Sequence, residues 1–305
     1  MRLDCRVNKA MKVITIGTVY VDIKGYPEGP FFPTGRNAGD IKYFHGGVAR
    51  NIAEDVVKLG EDSVLVSLVD DSGVASDVIR HLKAVNVKTD YVKASRNGMG
   101  TWMAVFDSSG ELCGSISKRP ELLPICDILN ENEEQIFKEA AGILLEIDID
   151  EQIVEITMRL AEKYNIPVYA VISNMTIAKE RIDYIKRTNC FFCNRLEAEI
   201  FFDKKTEGLS PEEMLDLLKL ELKRLDMHAM VVTMDADGSV YATEKGEIGI
   251  CPALPLSVVD STGAGDAFFA GTSVGLLRRL SFADACRLGT ETAARVLTTR
   301  ENVLK

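Results

Sequence analysis

Apolar and polar positions alternate along this chain in two periods. KVITIG (12–17) is a short apolar run of strand type, and DSVLVSLV (62–69) is another. Between them, VARNIAEDVVKLG (48–60) has helical spacing. Val48, Ile52 and Val56 fall on one row, and Ala49, Ala53 and Val57 on the next. A second helix is predicted over 74–84, closed before NVKTDYV. TWMAVFD and ELCGSIS flank Ser108-Ser109-Gly110 and predict a β-hairpin over 101–117. From AGILLEI (141–147) onward, strands and helices alternate. Helices are predicted at 151–164, near 176–187, at 195–202 and at 211–226, and two more close the chain at about 263–279 and 282–297. The intervening strands are IPVYAVI (166–172), the run holding Phe191 and Phe192, and AMVVTM (229–234), with a small hairpin over 239–250.

Such alternation with apolar strands predicts an α/β fold, a mostly parallel central sheet covered by helices on both faces. Residues 18–45 and the early hairpin do not fit it. They predict a small β-sheet lid, formed by segments of about 18–45 and 96–118, beside one domain spanning 1–305. Residues 1–10 read as a polar lead-in. Trp102, Ala104 and Phe106 alternate with Met103 and Val105, so both faces of the hairpin carry apolar groups. One face can close over a substrate and the other can meet a second lid, which predicts a homodimer.

Composition narrows the function. The chain has 305 residues, a net charge of -10 and 46% hydrophobic residues, as suits a globular protein with a full core. The acidic balance, with no basic stripe, argues against nucleic acid as a partner. No apolar run reaches membrane-spanning length and no secretory core region opens the chain, so no membrane partner is expected. Seven scattered cysteines point to a reducing cytoplasm rather than a disulfide framework. Cys190 and Cys193 have CxxC spacing, but no second pair exists to complete a zinc site, and the stretch reads as core strand. His45, His81 and His228 show no metal-ligand spacing.

In an open α/β sheet, sites form beyond the carboxyl ends of the strands. Asp22, Gly46-Gly47 with Asn51, Asn194 with Glu197, Thr233, and the stretch from Asp260 to Asp266 all fall there. Gly263-Ala264-Gly265-Asp266 opens a helix. Bare amides at a helix start attract an anion and would stabilise the charge of a phosphoryl group in transfer. A carboxylate one residue later could take the proton of an attacking hydroxyl. Alone, the tetrapeptide is equally a glycine-rich turn with a helix-start acid. No GxxxxGK[ST] and no GxGxxG is present, which excludes a Walker-type nucleotide binder and argues against a Rossmann dehydrogenase.

VVDSTGAGDAFFAG resembles the C-terminal signature of the ribokinase-like (PfkB) carbohydrate kinases, and GGVARNIAEDVVKLG resembles their N-terminal one. CNRLEAE resembles their NxxE motif and VVTMDADGSV their nucleotide-side strand and turn. The resemblance spans nearly the whole chain in family order. It implies a ribokinase-like three-layer sandwich that transfers the γ-phosphoryl of ATP, with Mg²⁺, to a sugar or nucleoside hydroxyl. Asp266 would then be the base, and Gly263, Ala264 and Gly265 the anion hole. Asp22, Gly46, Gly47 and Asn51 would hold the acceptor. Asn194 and Glu197 would organise Mg²⁺ through water, Thr233 and Gly238 would border the nucleotide, and Asp260 lies where many members bind K⁺ or another monovalent cation.

VDIKGYPEG and NAGDIKYFHGGVARNIAE are similar, more narrowly, to the pseudouridine kinases of that family. That implies phosphorylation of the nucleoside 5′-hydroxyl, with Asn37, Lys42 and Thr101 as candidate readers of the base. Val171-Ile172 and Asp235 depart from the family pattern. A kinase for another nucleoside or a free sugar, or a non-catalytic nucleoside sensor, are the competing readings. The retained Asp266 argues against the sensor.

Overall fold

A computed structural model describes residues 9–108 and 111–305. Most of the lead-in, Cys5 among it, and Ser109-Gly110 of the predicted hairpin turn lie outside the described residues. The chain runs β1 (Lys12–Ile16), β2 (Tyr20–Pro27), β3 (Gly39–Gly46), α1 (Val48–Lys58), β4 (Asp62–Val69), α2 (Gly73–Ala84), β5 (Lys88–Ala94), β6 (Gly100–Phe106) and β7 (Leu112–Lys118). It continues through α3 (Ile125–Glu131), α4 (Glu133–Phe137), β8 (Ala140–Glu146), α5 (Glu151–Tyr164), β9 (Val168–Val171), α6 (Met175–Ala178), α7 (Ile182–Ile185), β10 (Cys190–Asn194) and α8 (Arg195–Phe202). It ends with α9 (Pro211–Leu225), β11 (Ala229–Thr233), β12 (Ser239–Thr243), β13 (Ile248–Cys251), α10 (Ala264–Leu277) and α11 (Phe282–Leu297).

Nine strands form the large sheet in the order β13-β12-β11-β10-β9-β8-β1-β4-β5, parallel from β11 to β5. The predicted late hairpin is β12–β13, which adds two antiparallel strands at one edge. Adjacent residues of the inner strands serve opposite faces. Ile14, Leu145 and Phe191 pack with α5 and α9 on one side, and Val13, Leu144 and Phe192 with α1 and α10 on the other. Cys193 and Cys190 are divided between those two faces, so the CxxC spacing brings no shared site. The helix predicted over 176–187 is broken into α6 and α7. Glu180 N–H bonds the Ile177 carbonyl three residues back, and the tightened turn ends the first piece.

β1 is followed on one side by β4 and β5, and on the other by β8 and the later strands. The sheet's switch point therefore lies between β1 and β8, where Ile16 pairs with Leu145. The second sheet, β3-β2-β6-β7, comes from the two segments that broke the sequence alternation. Asp22, Phe44 and Trp102 share one cross-strand row, and Tyr43, Ile23, Met103 and Ile116 share the next, on the opposite face. None of the described helices is long and apolar enough to cross a membrane.

Candidate active site

A cavity of about 520 Å³ opens at the switch point, between the two sheets. Thr18, Tyr20, Asp22, Asn51, Trp102 and Glu146 are among its walls, and Gly263 and Asp266 lie at its floor. The size is within the range of small-molecule sites.

The loop into α10 is as the sequence requires. Gly263 caps the helix in the left-handed conformation, φ 81°, and a Cβ there would collide with the Asn302 carbonyl. No described side chain caps α10, so its first turn keeps amides for an anion. The Ala264 amide, one of those assigned to the hole, already donates to the Ser261 carbonyl at 3.3 Å. Gly265 leaves open space within 4 Å of where its Cβ would be. Asp266 stands in the first turn, and its Oδ2 accepts from Asn51 Nδ2 at 2.7 Å. Burial pushes Asp266 up to about 6, against the hydrogen bond from Asn51 and the charge of Arg50. That value suits a general base near neutral pH.

Asp22 faces the cavity and is almost fully buried. Gly46 makes this possible, since a Cβ there would lie 2.6 Å from Asp22 Oδ1. Burial raises the Asp22 carboxyl above its ordinary value, opposed by Lys24 and Arg50. Asn302 Nδ2 donates to Asp22 Oδ2 at 3.3 Å and to the His45 carbonyl at 3.2 Å. Asn51 Oδ1 and Asn302 Oδ1 are buried without a hydrogen-bond partner. Such atoms are costly unless a ligand completes them.

Four residues of the cavity wall carry no site assignment from the sequence, Trp102 being placed only on an apolar face of the hairpin. Glu146 ends β8 and accepts from the Thr18 amide at 2.7 Å and from the Thr18 hydroxyl at 2.8 Å, joining the two strands of the switch point. Burial and neighbouring Asp148 raise its pKa. Its place after an apolar strand was the available signal. Arg119 and Asp148 line the same cavity, and Trp102 supplies an aromatic wall.

Three predicted base readers do not line the cavity. Asn37 ties its own loop, accepting from Phe32 N–H at 2.8 Å and donating to the Phe32 carbonyl at 3.0 Å. Lys42 is exposed, with its ammonium 5.6 Å from the Tyr26 ring centroid. Thr101 lies on the opposite face of β6 from Trp102, one residue out of phase.

Of the residues expected to meet the nucleotide, Asn194 and Thr233 are register partners at the ends of β10 and β11. Gly238 follows the turn after Thr233, with φ 89°. Asn194 and Glu197 form a reciprocal capping box at the start of α8. Asn194 Oδ1 accepts from Glu197 N–H at 2.8 Å, and Glu197 Oε2 accepts from Asn194 N–H at 2.7 Å. The NxxE spacing is thus also a helix-start device. Burial, and repulsion from Asp148 and Asp266, push Glu197 up to about 7, a crowding of acids that a divalent cation would relieve. None of these four residues lines the cavity itself.

Asp260, the residue expected to meet a monovalent cation, is engaged by neighbouring protein groups. Its Oδ1 accepts from the Thr262 amide at 2.9 Å and the Thr262 hydroxyl at 2.7 Å, and its Oδ2 faces the Lys24 ammonium at 3.3 Å.

Comparison with known proteins agrees with this geometry. The family described as pfkB family carbohydrate kinase matches residues 10–303. The guanosine-inosine kinase of Exiguobacterium acetylicum is 30% identical over 96% of each chain. The pseudouridine kinase of Escherichia coli is 25% identical over 90% of this chain and 87% of its own. Among solved structures, a ribokinase of Arabidopsis thaliana matches with a TM-score of 0.82 over 97% of this chain and 96% of that one, at 18% identity, which supports the fold.

Proposed function

The chain belongs to the pfkB family of carbohydrate kinases, phosphotransferases acting on an alcohol group, and from that membership we propose that its acceptor is a nucleoside and its donor ATP. The observation that carries this reading is the convergence of Asp22, Asn51 and Asp266 beside the uncapped start of α10 in one cavity with an aromatic wall. Asp22 and the unpartnered Asn51 Oδ1 are placed to accept hydrogen bonds from ribose hydroxyls. Asp266 takes the proton from the attacking hydroxyl, and Asn51 Nδ2 holds its carboxylate in line. The amides at Gly263 and Gly265 meet the charge of the phosphoryl group. When bound, Mg²⁺ would supply charge neutralisation to the phosphoryl group, and Glu197 would hold it through water.

For the base, the cavity offers Trp102 as a stacking wall, with Asp148 and Arg119 as polar groups. A carboxylate matches the N1–H of guanosine and inosine, and a guanidinium matches their 6-oxo group; adenosine lacks both features. With the guanosine-inosine kinase similarity, this favours a 6-oxopurine nucleoside. Pseudouridine is the second reading, because the imide edge of uracil offers the same donor and acceptor types. It has less support now that Asn37, Lys42 and Thr101 stand away from the cavity. The test is ATP consumption with guanosine, inosine, pseudouridine, uridine, adenosine and ribose. Guanosine and inosine are expected to lead. Adenosine turnover equal to inosine would overturn the base assignment, and binding without turnover of any acceptor would favour a sensor.

The outward row of the small sheet supports a homodimer. Tyr43, Met103 and Ile116 are exposed apolar residues on one face, with Ile41 beside them. Ile116→Lys is expected to shift a dimer to monomer in light scattering, and a wild-type monomer at micromolar concentration would refute the pairing.

A further inference from the structure

Lys24 is one of the largest fully buried side chains, 2% exposed, although it belongs to an otherwise half-open strand of the small sheet. Burying an ammonium is expensive unless it is paired and hydrogen-bonded. The fold supplies those partners from 236 residues away. Lys24 Nζ lies 3.3 Å from Asp260 Oδ2 and 3.3 Å from Thr262 Oγ1, and 5.0 Å from the Phe44 ring centroid. Thr262 in turn donates its hydroxyl and amide to Asp260 Oδ1, so the three residues close a triangle. The next residue is Gly263, whose left-handed backbone sets the first turn of α10. Asp22, two residues earlier in β2, lies on the same face of the strand and lines the cavity. One strand therefore presents a carboxylate to the acceptor and an ammonium to the loop that meets the phosphoryl group.

The residues around Asp260 do not fit a monovalent metal ion. Oδ1 already accepts twice, Oδ2 faces an ammonium, and the charge such an ion would bring is already supplied by that tethered side chain. We propose that the Lys24 ammonium is the resident cation of the phosphoryl-binding loop, positioning it and adding positive charge beside it, so that turnover needs no free monovalent cation. This rests on the kinase reading above.

Two readouts test it, one independent of turnover. Thermal unfolding is compared in potassium, sodium, methylammonium and tetramethylammonium chloride at equal ionic strength, for wild type and Lys24→Ala. The wild type is expected to melt at the same temperature in all four. The alanine variant melts lower, and potassium or methylammonium raises it selectively by refilling the vacated space. In the activity arm, Lys24→Ala lowers kcat by about 10- to 100-fold with little change in nucleoside KM, and the same cations restore part of the loss. Activation of the wild type by potassium of more than about tenfold overturns the proposal. So does a variant that keeps its kcat, or one whose loss no cation restores. Should Lys24→Ala fail to fold, the wild-type salt comparison and Lys24→Arg, expected to stay indifferent to potassium, still decide. Absence of turnover by the wild type in every salt would sink the kinase reading, while the unfolding arm continues to report on Lys24.

Discussion

Asn51 and Asn194 are the same residue type, each at the entrance of a helix, and the fold treats them differently. Asn51 gives its amide hydrogen to Asp266 and leaves Oδ1 buried and unpartnered. Asn194 and Glu197 exchange hydrogen bonds and complete each other as a helix cap. On the proposed reading, the acceptor end of the site is thus incomplete in the protein alone, whereas the donor end is largely finished. An incomplete buried inventory costs free energy that a bound ligand can recover, and Asn51, unlike core residues such as Ser63 and Thr157 with the same shortfall, lines the cavity. A finished one leaves a nucleotide to be met by backbone amides, ions and water. The two ends should respond differently to substitution.

Asp266→Asn tests the acceptor end most severely. It is expected to lower kcat by about 10²- to 10⁴-fold while nucleoside binding, read by calorimetry, is largely kept. Retained activity would refute the base. The same variant should be more stable than wild type at pH 8, where it removes a buried charge, and the advantage should fade towards pH 4. The sign follows from a folded pKa raised to about 6. The stability linked to that carboxyl is present below its unfolded value of 3.8 and is lost as pH rises through about 6.

Asn51→Ala removes both the grip on the acceptor and the hydrogen bond that lowers Asp266. We expect kcat/KM to fall by about 10- to 100-fold and the acid limb of its pH profile to move upward. A fall without that movement would mean that Asn51 only binds acceptor. In the wild type, kcat/KM should drop about fivefold between pH 6 and pH 5, and towards tenfold per unit below that, as Asp266 is protonated. A flat profile there would break the acid–base assignment.

Glu197 gives the smallest expected effect. Glu197→Gln keeps a side-chain acceptor for the Asn194 amide, so stability should change by less than about 0.5 kcal/mol while the Mg²⁺ requirement rises a few-fold. Glu197→Ala also breaks the capping box and should cost about 0.5–2 kcal/mol in chemical denaturation. An equal loss of activity in both variants would assign Glu197 to the metal rather than the cap. A loss in alanine alone would make it a structural residue.

The local pattern determined much of this molecule. Helical rows at Val48, Ile52 and Val56, and apolar runs such as those ending at Val69 and Leu145, place elements by periods of 3.6 and 2 that need no knowledge of the rest of the chain. The glycine before Ala264 and the acid at Asp266 were legible for the same reason, since a left-handed cap and a first-turn carboxylate are written within four residues. What remained hidden depends on register and distance. Thr101 and Trp102 differ by one position, and only the pairing of β6 with β2 decides which faces the cavity. Asn302 reaches Asp22 across 280 residues, and Lys24 reaches Asp260 across 236. Side chains satisfy their hydrogen bonds and charges with whatever the tertiary fold brings near, and no spacing along the sequence encodes that. The sequence named the glycine-led helix start and its acid. The packing of the small sheet against it decided which residues hold that start in place.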